Sequence, residues 1–496
     1  MPCTSIHSRV ISGTSDDKKE TPNIIFLLSD DQKWNTIHAL GNDEIITPNL
    51  DKLAENAMVF NNAYCFGGNC GAVSIVSRNQ LITGRNWFDF EQDMVEQKKK
   101  DPKFKRHQSF ANPEWDNLPK TFKRGGYETY YREKSGIHNL HKIREQFDYY
   151  GDINMVQQLK TGRAARTIVD DAIQYVEKDR DKNKPFIMYL GLPCPHDPRY
   201  SLKDFYHLYE DKDISLPDNF QPYHYWDIGN FIRDEKLEQW PRTPKAIKKH
   251  LHDYYGLITA MDYDLGRFFA CLEKQGLFEN TIIVFTSDQG IAIGDHGLMG
   301  KQSLYEGVLK VPLFITGPGI KKGQSDALVY LHDIFPTLCD LVNISAPENL
   351  DGISFKENLL QQTTESKRDR ILLAYKNLDR GKMRNQRALR LGDWKLIWYP
   401  EIDKFCLYDL KNDPNEIANL AYVKGYEDKV QEMLKELKAE LKKQGDLSVL
   451  KVDPSICPVF KLPAVPKDTT GGIAPGPNIA ESPVENTSGF PYFRKK

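Results

Sequence analysis

The chain has 496 residues, with 67 Lys and Arg against 69 Asp and Glu for a net charge of −2. A chain this long can bury a large core, most simply as one large domain with a smaller partner, and its balanced charge argues against nucleic acid or a membrane surface as partner. No apolar run reaches the roughly 18 residues a membrane span needs, and the eight cysteines, at 3, 65, 70, 194, 271, 339, 406 and 457, form no CxxC pair, which speaks against a zinc knuckle or a thioredoxin-type site.

Met1 to Glu20 is polar and lacks the apolar centre of a secretory signal. Asn23 to Leu28 is a continuous apolar run, as expected of a buried parallel strand. Thr47-Pro48-Asn49-Leu50 opens a helix, with Thr47 as cap and Pro48 in the first turn. The basic tract from Lys98-Lys99-Lys100 to Lys105-Arg106-His107 reads as a solvated loop rather than an anion-binding patch. Tyr127 to Tyr131 is strand-like, and Pro185 to Leu192 and Thr281 to Ser287 are two more buried strands. Between those two, Ala246 to Lys274 reads as a long helix with Leu257, Met261, Leu265 and Phe268 on one face. Strands alternating with helices predict an α/β fold: a large, mostly parallel sheet sandwiched by helices.

After about residue 375 the pattern changes to short strands, Ala388 to Leu391, Trp394 to Tyr399 and Cys406 to Leu410, then an amphipathic helix from Glu427 to Lys443. The expected organisation is a disordered or processed N-terminus over 1–21, an α/β catalytic domain over 22–375, an α+β subdomain over 376–460 and a Pro/Gly-rich tail over 461–496. No internal repeats are present.

Asp30 and Asp31 follow the first strand, where α/β folds place ligands. Alone, such a pair reads as a turn. Asp288 and Gln289 end another buried strand, so the four side chains can converge into a hard, all-oxygen set suited to Ca²⁺, with Mg²⁺ as the other candidate, and not to zinc. Ser74 stands at the start of a helix predicted over about 75–82, where free N–H groups and the helix dipole favour an anion. An ordinary N-cap serine would look the same. Arg78 lies one turn on, on the same face.

Ser74-Ile75-Val76-Ser77-Arg78, followed by Thr83-Gly84-Arg85, resembles the signature of the sulfatase family, Cys/Ser-x-Pro-x-Arg followed by Thr-Gly-Arg, with Val76 in place of the proline. The motifs run in the family's order from about residue 22 to 445, including Leu407-Tyr408-Asp409-Leu410, Asp413-Pro414, Glu416 and Asn419-Leu420 near the C-terminus. The resemblance implies that residue 74 is oxidised to formylglycine by a maturation enzyme, and that Asp30, Asp31, Asp288 and Gln289 bind the metal. It implies that Arg78 holds the nucleophile and neutralises metal-site charge, while Arg85 supports the loop. A hydrated aldehyde carries two hydroxyls, one to attack sulfur and one to expel sulfate, which splits a hard step into two easier ones.

The same resemblance assigns sulfate contacts to Lys134, His138, His196 and Lys301. Lys134 and His138 depart from it, standing as Lys-x-x-x-His where the family has Lys-x-His. His196, in Pro195-His196-Asp197-Pro198, matches a histidine that can protonate the leaving alcohol. His296 is glycine-flanked and reads as a loop-shaping residue or a substrate contact. Arg199 is expected to bind substrate and, with His38, to lie near the pocket mouth, and Trp87 and Trp115 are either sugar platforms or core.

Serine at position 74 leaves two readings, a serine-type sulfatase or a cysteine enzyme whose nucleophile was replaced. The expected substrate is a sulfated carbohydrate, as in many bacterial relatives. The alternatives are an arylsulfatase or choline-sulfatase type, a phosphoesterase of the alkaline-phosphatase superfamily, and a non-catalytic sulfoglycan-binding protein. Export to the periplasm or medium is expected from the resemblance, with the signal absent from this sequence.

Overall fold

The computed structural model describes residues 20–105, 110–134, 141–225, 233–379, 382–452 and 479–480. Of the residues singled out above, His138, Arg106, His107, Cys3 and Cys457 lie outside the described residues, as do residues 1–19 and almost all of the expected tail.

The strands, in chain order, are β1 (Asn23–Ser29), β2 (Met58–Tyr64), β3 (Gly67–Gly68), β4 (Glu128–Lys134), β5 (Tyr149–Ile153), β6 (Phe186–Gly191), β7 (Ser201–Leu202), β8 (Thr281–Ser287), β9 (Leu313–Thr316), β10 (Gly323–Tyr330), β11 (Arg370–Asp379), β12 (Lys382–Leu391), β13 (Trp394–Tyr399), β14 (Lys404–Asp409) and β15 (Ile479–Ala480). The main sheet has the order β10-β2-β9-β8-β1-β6-β4-β5. It is parallel throughout except where β9 runs antiparallel to β2 and β8. β1 is central, paired with β6 on one side and β8 on the other.

Every residue of β1 is buried, which explains its unbroken apolar run: both faces of a parallel sheet are covered. Ile24, Phe26 and Leu28 enter one core with the helix Val73–Thr83, and Ile25 and Leu27 enter the other with the helix Pro244–Lys274. Successive side chains of one strand thus feed opposite layers. Leu257, Met261, Leu265 and Phe268 are all buried in that second layer. Thr47 precedes the helix Pro48–Ala54 as expected, but its hydroxyl donates to Asp51 Oδ1 at 3.0 Å and accepts from His38 N–H at 2.9 Å instead of capping a helical N–H.

The second sheet has the order β14-β13-β12-β11-β3. The helix Glu427–Lys443 buries Val430, Met433, Leu437 and Leu441 and packs on β12 and β13. β11 begins at Arg370 and runs across residue 375. β3 joins this sheet from far upstream, with Gly67 opposite Ala374 and Gly68 opposite Tyr375. Gly67 has φ +101°, and a Cβ there would stand 2.3 Å from the Ala374 carbonyl oxygen, so only glycine fits. Among the described residues no helix is long and apolar enough to cross a membrane, and Cys65, Cys70, Cys194, Cys271, Cys339 and Cys406 are free thiols.

Candidate active site

The parallel pairing of β1 and β8 sets Ser29 opposite Ser287. Asp30 and Asp31 therefore leave one strand beside Asp288 and Gln289 leaving the other, and Asp288 N–H donates to the Ser29 carbonyl at 3.1 Å. Asp31 takes φ +65°, a left-handed turn that carries the chain away from the sheet. Its N–H donates to Asp288 Oδ1 at 3.1 Å, locking the two strand ends together. All four side chains are fully buried.

The helix Val73–Thr83 brings Ser74 to this point, as its second residue, with Ala72 in the cap position. Ser74 is thus not an N-cap, and its hydroxyl is free to face the carboxylates. Ser74 Oγ donates to Asp30 Oδ1 at 3.3 Å and accepts from Gln289 Nε2 at 3.0 Å. Lys301 Nζ lies 3.5 Å from the same oxygen and 2.8 Å from both oxygens of Asp31. Ser77 Oγ donates to the Asp288 carbonyl at 2.6 Å and holds the helix to the strand end.

Arg78 lies below, wholly buried, with Nε donating to Asp288 Oδ2 at 2.9 Å and Nη2 3.5 Å from Asp30 Oδ1. Its Nη1 pairs with Glu133, at the end of β4. Lys134, the next residue, turns to Asp30. His196 Nδ1 donates to the Asp197 carbonyl at 2.6 Å, which leaves Nε2 facing Asp31 Oδ2 at 3.6 Å.

The electrostatics follow from burial against neighbouring charge. Burial pushes the Asp30 carboxyl up, but Lys134, His196 and Arg78 together hold it well below the usual carboxylate range. Asp288 is pushed the other way, up to about 6, by burial and the charge on Asp30, against the pull of Arg78. Burial brings Lys134 below its ordinary value despite Asp30, whereas Asp31 and Asp234 outweigh burial at Lys301 and raise it.

Asp30, Asp31 and His196 have ligand atoms within 4.8 Å of one another, all buried. Gln289, whose Nε2 donates to Asp31 Oδ1 and Ser74 Oγ, keeps a buried Oε1 with no hydrogen-bond donor, and an orphaned buried carbonyl costs about 1–3 kcal/mol. Asp288 has each oxygen engaged once, leaving a second lone pair on each. Carboxylates with a carboxamide oxygen fit a hard divalent cation. His196, expected as a sulfate contact and proton donor but not as a metal ligand, is the one nitrogen in that group of three.

The other expected positions lie apart. The His296 ring stacks on Tyr305 at 3.8 Å, with Asn219 Nδ2 at 3.1 Å from Nε2, and burial holds its pKa down to about 3; none of these contacts is to the carboxylate cluster. His38 is exposed and holds the Asn42 carbonyl at 3.1 Å. Trp87 is core, with Nε1 donating to the Ala374 carbonyl at 3.3 Å. Trp115 lies under the Arg85 guanidinium at 4.7 Å, and Arg85 also pairs with Asp89 at 2.9 Å. Arg199 is buried next to Tyr254. Glu133 was not expected: a glutamate in a strand reads as a solvated face, and a Glu-Lys pair closing a strand was its only signal.

Residues 22–344 match the family model described as Sulfatase, and residues 294–444 match the one described as N-sulphoglucosamine sulphohydrolase, C-terminal. An N-acetylglucosamine-6-O-sulfatase of Bacteroides thetaiotaomicron is 26% identical over an alignment covering 90% of this chain and 91% of that protein. An arylsulfatase of Clostridium perfringens is 28% identical, covering 85% and 94%. Among solved structures, a protein in complex with its substrate D-glucosamine-2-N,6-O-disulfate shares the fold with a TM-score of 0.70 at 24% identity, covering 88% of this chain and 100% of that one.

Proposed function

The chain belongs to the sulfatase family, whose members are sulfuric ester hydrolases, and on that premise we propose that it removes sulfate from a sulfated carbohydrate, with residue 74 at the point of attack. The observation that carries the reading is the convergence of Ser74 Oγ with Asp30, Gln289 and Lys301 at the start of one helix. The sulfated-sugar substrates named for two of the similar proteins support the carbohydrate half of the reading.

In this reading Asp30, Asp31, Asp288 and Gln289 hold a Ca²⁺ ion, with Mg²⁺ as the alternative. When bound, the cation supplies charge that lowers the pKa of an attacking hydroxyl and polarises sulfate oxygens. Lys301 and Lys134 orient the sulfuryl oxygens and stabilise the charge that builds on them. His196, with Nδ1 fixed on the Asp197 carbonyl, presents Nε2 to the leaving alcohol and gives it a proton. Arg78 keeps the helix and the carboxylates in register from beneath. Formylglycine at residue 74, made by a maturation enzyme of the host, adds the second hydroxyl that a serine lacks. The reading also places the protein in the periplasm or medium.

Unoxidised Ser74 favours a second reading, in which the site retains a sulfoglycan without turning it over. Two measurements test the pair. Mass spectrometry of the Ser74 peptide looks for the loss of two hydrogens, and sulfate release is followed on a panel of sulfated mono- and oligosaccharides. Aldehyde with release supports the enzyme; serine with binding alone supports the second reading; release from aryl sulfates only would overturn the carbohydrate assignment.

A further inference from the structure

Arg199 stands three residues beyond His196 and is only 4% exposed, close to the 5% of Ser74 and His196. A buried guanidinium without a counter-charge costs several kcal/mol. The chain pairs its other buried arginines accordingly: Arg78 with Asp288, Arg163 with Asp264, Arg242 with Glu235 and Arg387 with Asp446. Among the described residues Arg199 makes no ion pair. Its Nε and Nη2 have no hydrogen-bond partner, and Nη1 reaches only His250 Nδ1, at the limiting distance of 3.5 Å.

The acids around His250 each hold a basic side chain other than Arg199. Glu238 Oε2 accepts from His250 Nε2 at 3.2 Å, which leaves Nδ1 as an acceptor and the imidazole neutral. Asp253 pairs with Lys249 at 3.1 Å. The guanidinium carbon lies 5.2 Å over the ring of Tyr254. That ring's hydroxyl donates to the Asp31 carbonyl at 2.7 Å and accepts from Lys33 N–H at 2.8 Å. Arg199 thus lies against a ring whose hydroxyl holds the Asp31 backbone, and it shares with His196 the segment that follows β6.

We propose that Arg199 receives a second anionic group of the same substrate, a carboxylate or a further sulfate, so that the saccharide is a polyanion and not a singly sulfated sugar. The inference rests on the sulfated-carbohydrate reading and deepens it. A guanidinium with two free donors suits planar or trigonal oxyanions, to which it bonds through both nitrogens.

Titration calorimetry on the full chain, with Ser74 unmodified, tests this. The probes are glucosamine bearing one sulfate at N2, O3 or O6, its disulfated counterparts, and the O6-sulfated sugar linked to a hexuronate. The wild type should bind at least one dianion about 10- to 100-fold more tightly than the matching monosulfate. Arg199→Leu should erase that advantage while leaving the monosulfate within about twofold, and Arg199→Lys should keep part of it. Arg199→Gln replaces the leucine variant if the latter fails to fold. The dianion that gains identifies the group as sulfate or carboxylate. Absence of any preference in the wild type, or an equal loss on all probes in the variants, would overturn the proposal and leave the carbohydrate reading standing. If the wild type binds no probe at all, the carbohydrate reading falls and the proposal with it.

Discussion

Arg78 Nε donates to Asp288 Oδ2 at 2.9 Å, joining the helix that carries Ser74 to the end of β8. Through Nη1 and Nη2 the same guanidinium meets Glu133 and Asp30. Removing it leaves three buried carboxylates short of a counter-charge, so Arg78→Ala should cost about 3–5 kcal/mol in urea denaturation. Arg78→Lys should recover only part, because one ammonium cannot reach three strand ends.

Ser74 as a single hydroxyl should bind a sulfate ester and fail to cycle, since nothing remains to expel sulfate from a sulfated serine. Ser74→Cys, co-expressed with a formylglycine-generating enzyme, should gain multiple turnover. Rapid cycling by protein whose mass shows plain serine would refute this account.

Lys301 and His196 should affect turnover in distinguishable ways. In the oxidised form, Lys301→Ala should lower kcat by about 10²–10³-fold on every sulfate ester, as loss of a preorganised charge does. His196→Ala should hurt sugar sulfates far more than aryl sulfates, whose phenolate leaves without a proton. Equal losses on both substrate classes in His196→Ala would remove the acid role.

Adding Ca²⁺ to chelator-treated protein should raise its melting temperature, by the equivalent of about 2.7 kcal/mol at a hundredfold excess over Kd. Gln289→Leu should weaken that response, because it deletes the orphaned carbonyl, and Asp31→Asn should weaken it more. A melting temperature indifferent to every divalent cation would contradict the site.

Glu416 predicts a pH signature remote from catalysis. Burial holds it up to about 7, with Lys395 drawing it down and Glu306 pushing it up. A carboxyl whose folded pKa exceeds its unfolded value of 4.5 stabilises the fold below that value and loses the contribution as pH rises through about 7. Glu416→Gln should therefore gain stability relative to wild type between those limits, read as a melting-temperature difference that grows with pH. A pH-independent difference would show that Glu416 titrates normally.

The sequence carried the centre of the main sheet, because β1, β6 and β8, buried on both faces, are unbroken apolar runs, and β1 and β8 announce their ends with Asp30-Asp31 and Asp288-Gln289; β2, β5, β9 and β10 it did not mark. It did not carry what pairing decides. Glu133 becomes the partner of Arg78 only because β6 separates β4 from β1 and the three strands end together. β3 is two glycines long, too short for any periodicity. The isolation of Arg199 is a missing partner, which no residue string can display.

The pairing of β3 with β11 also sets an order of events. The segment just ahead of Ser74 finds its neighbour at Ala374 and Tyr375, about three hundred residues later in synthesis. Until that length has been made β3 has no strand to pair with, and Ser74 is nearly inaccessible once the fold is complete. A modifying enzyme that must grip the segment around residue 74, unlike a substrate that enters the finished pocket, has its readiest access before β3 pairs with β11.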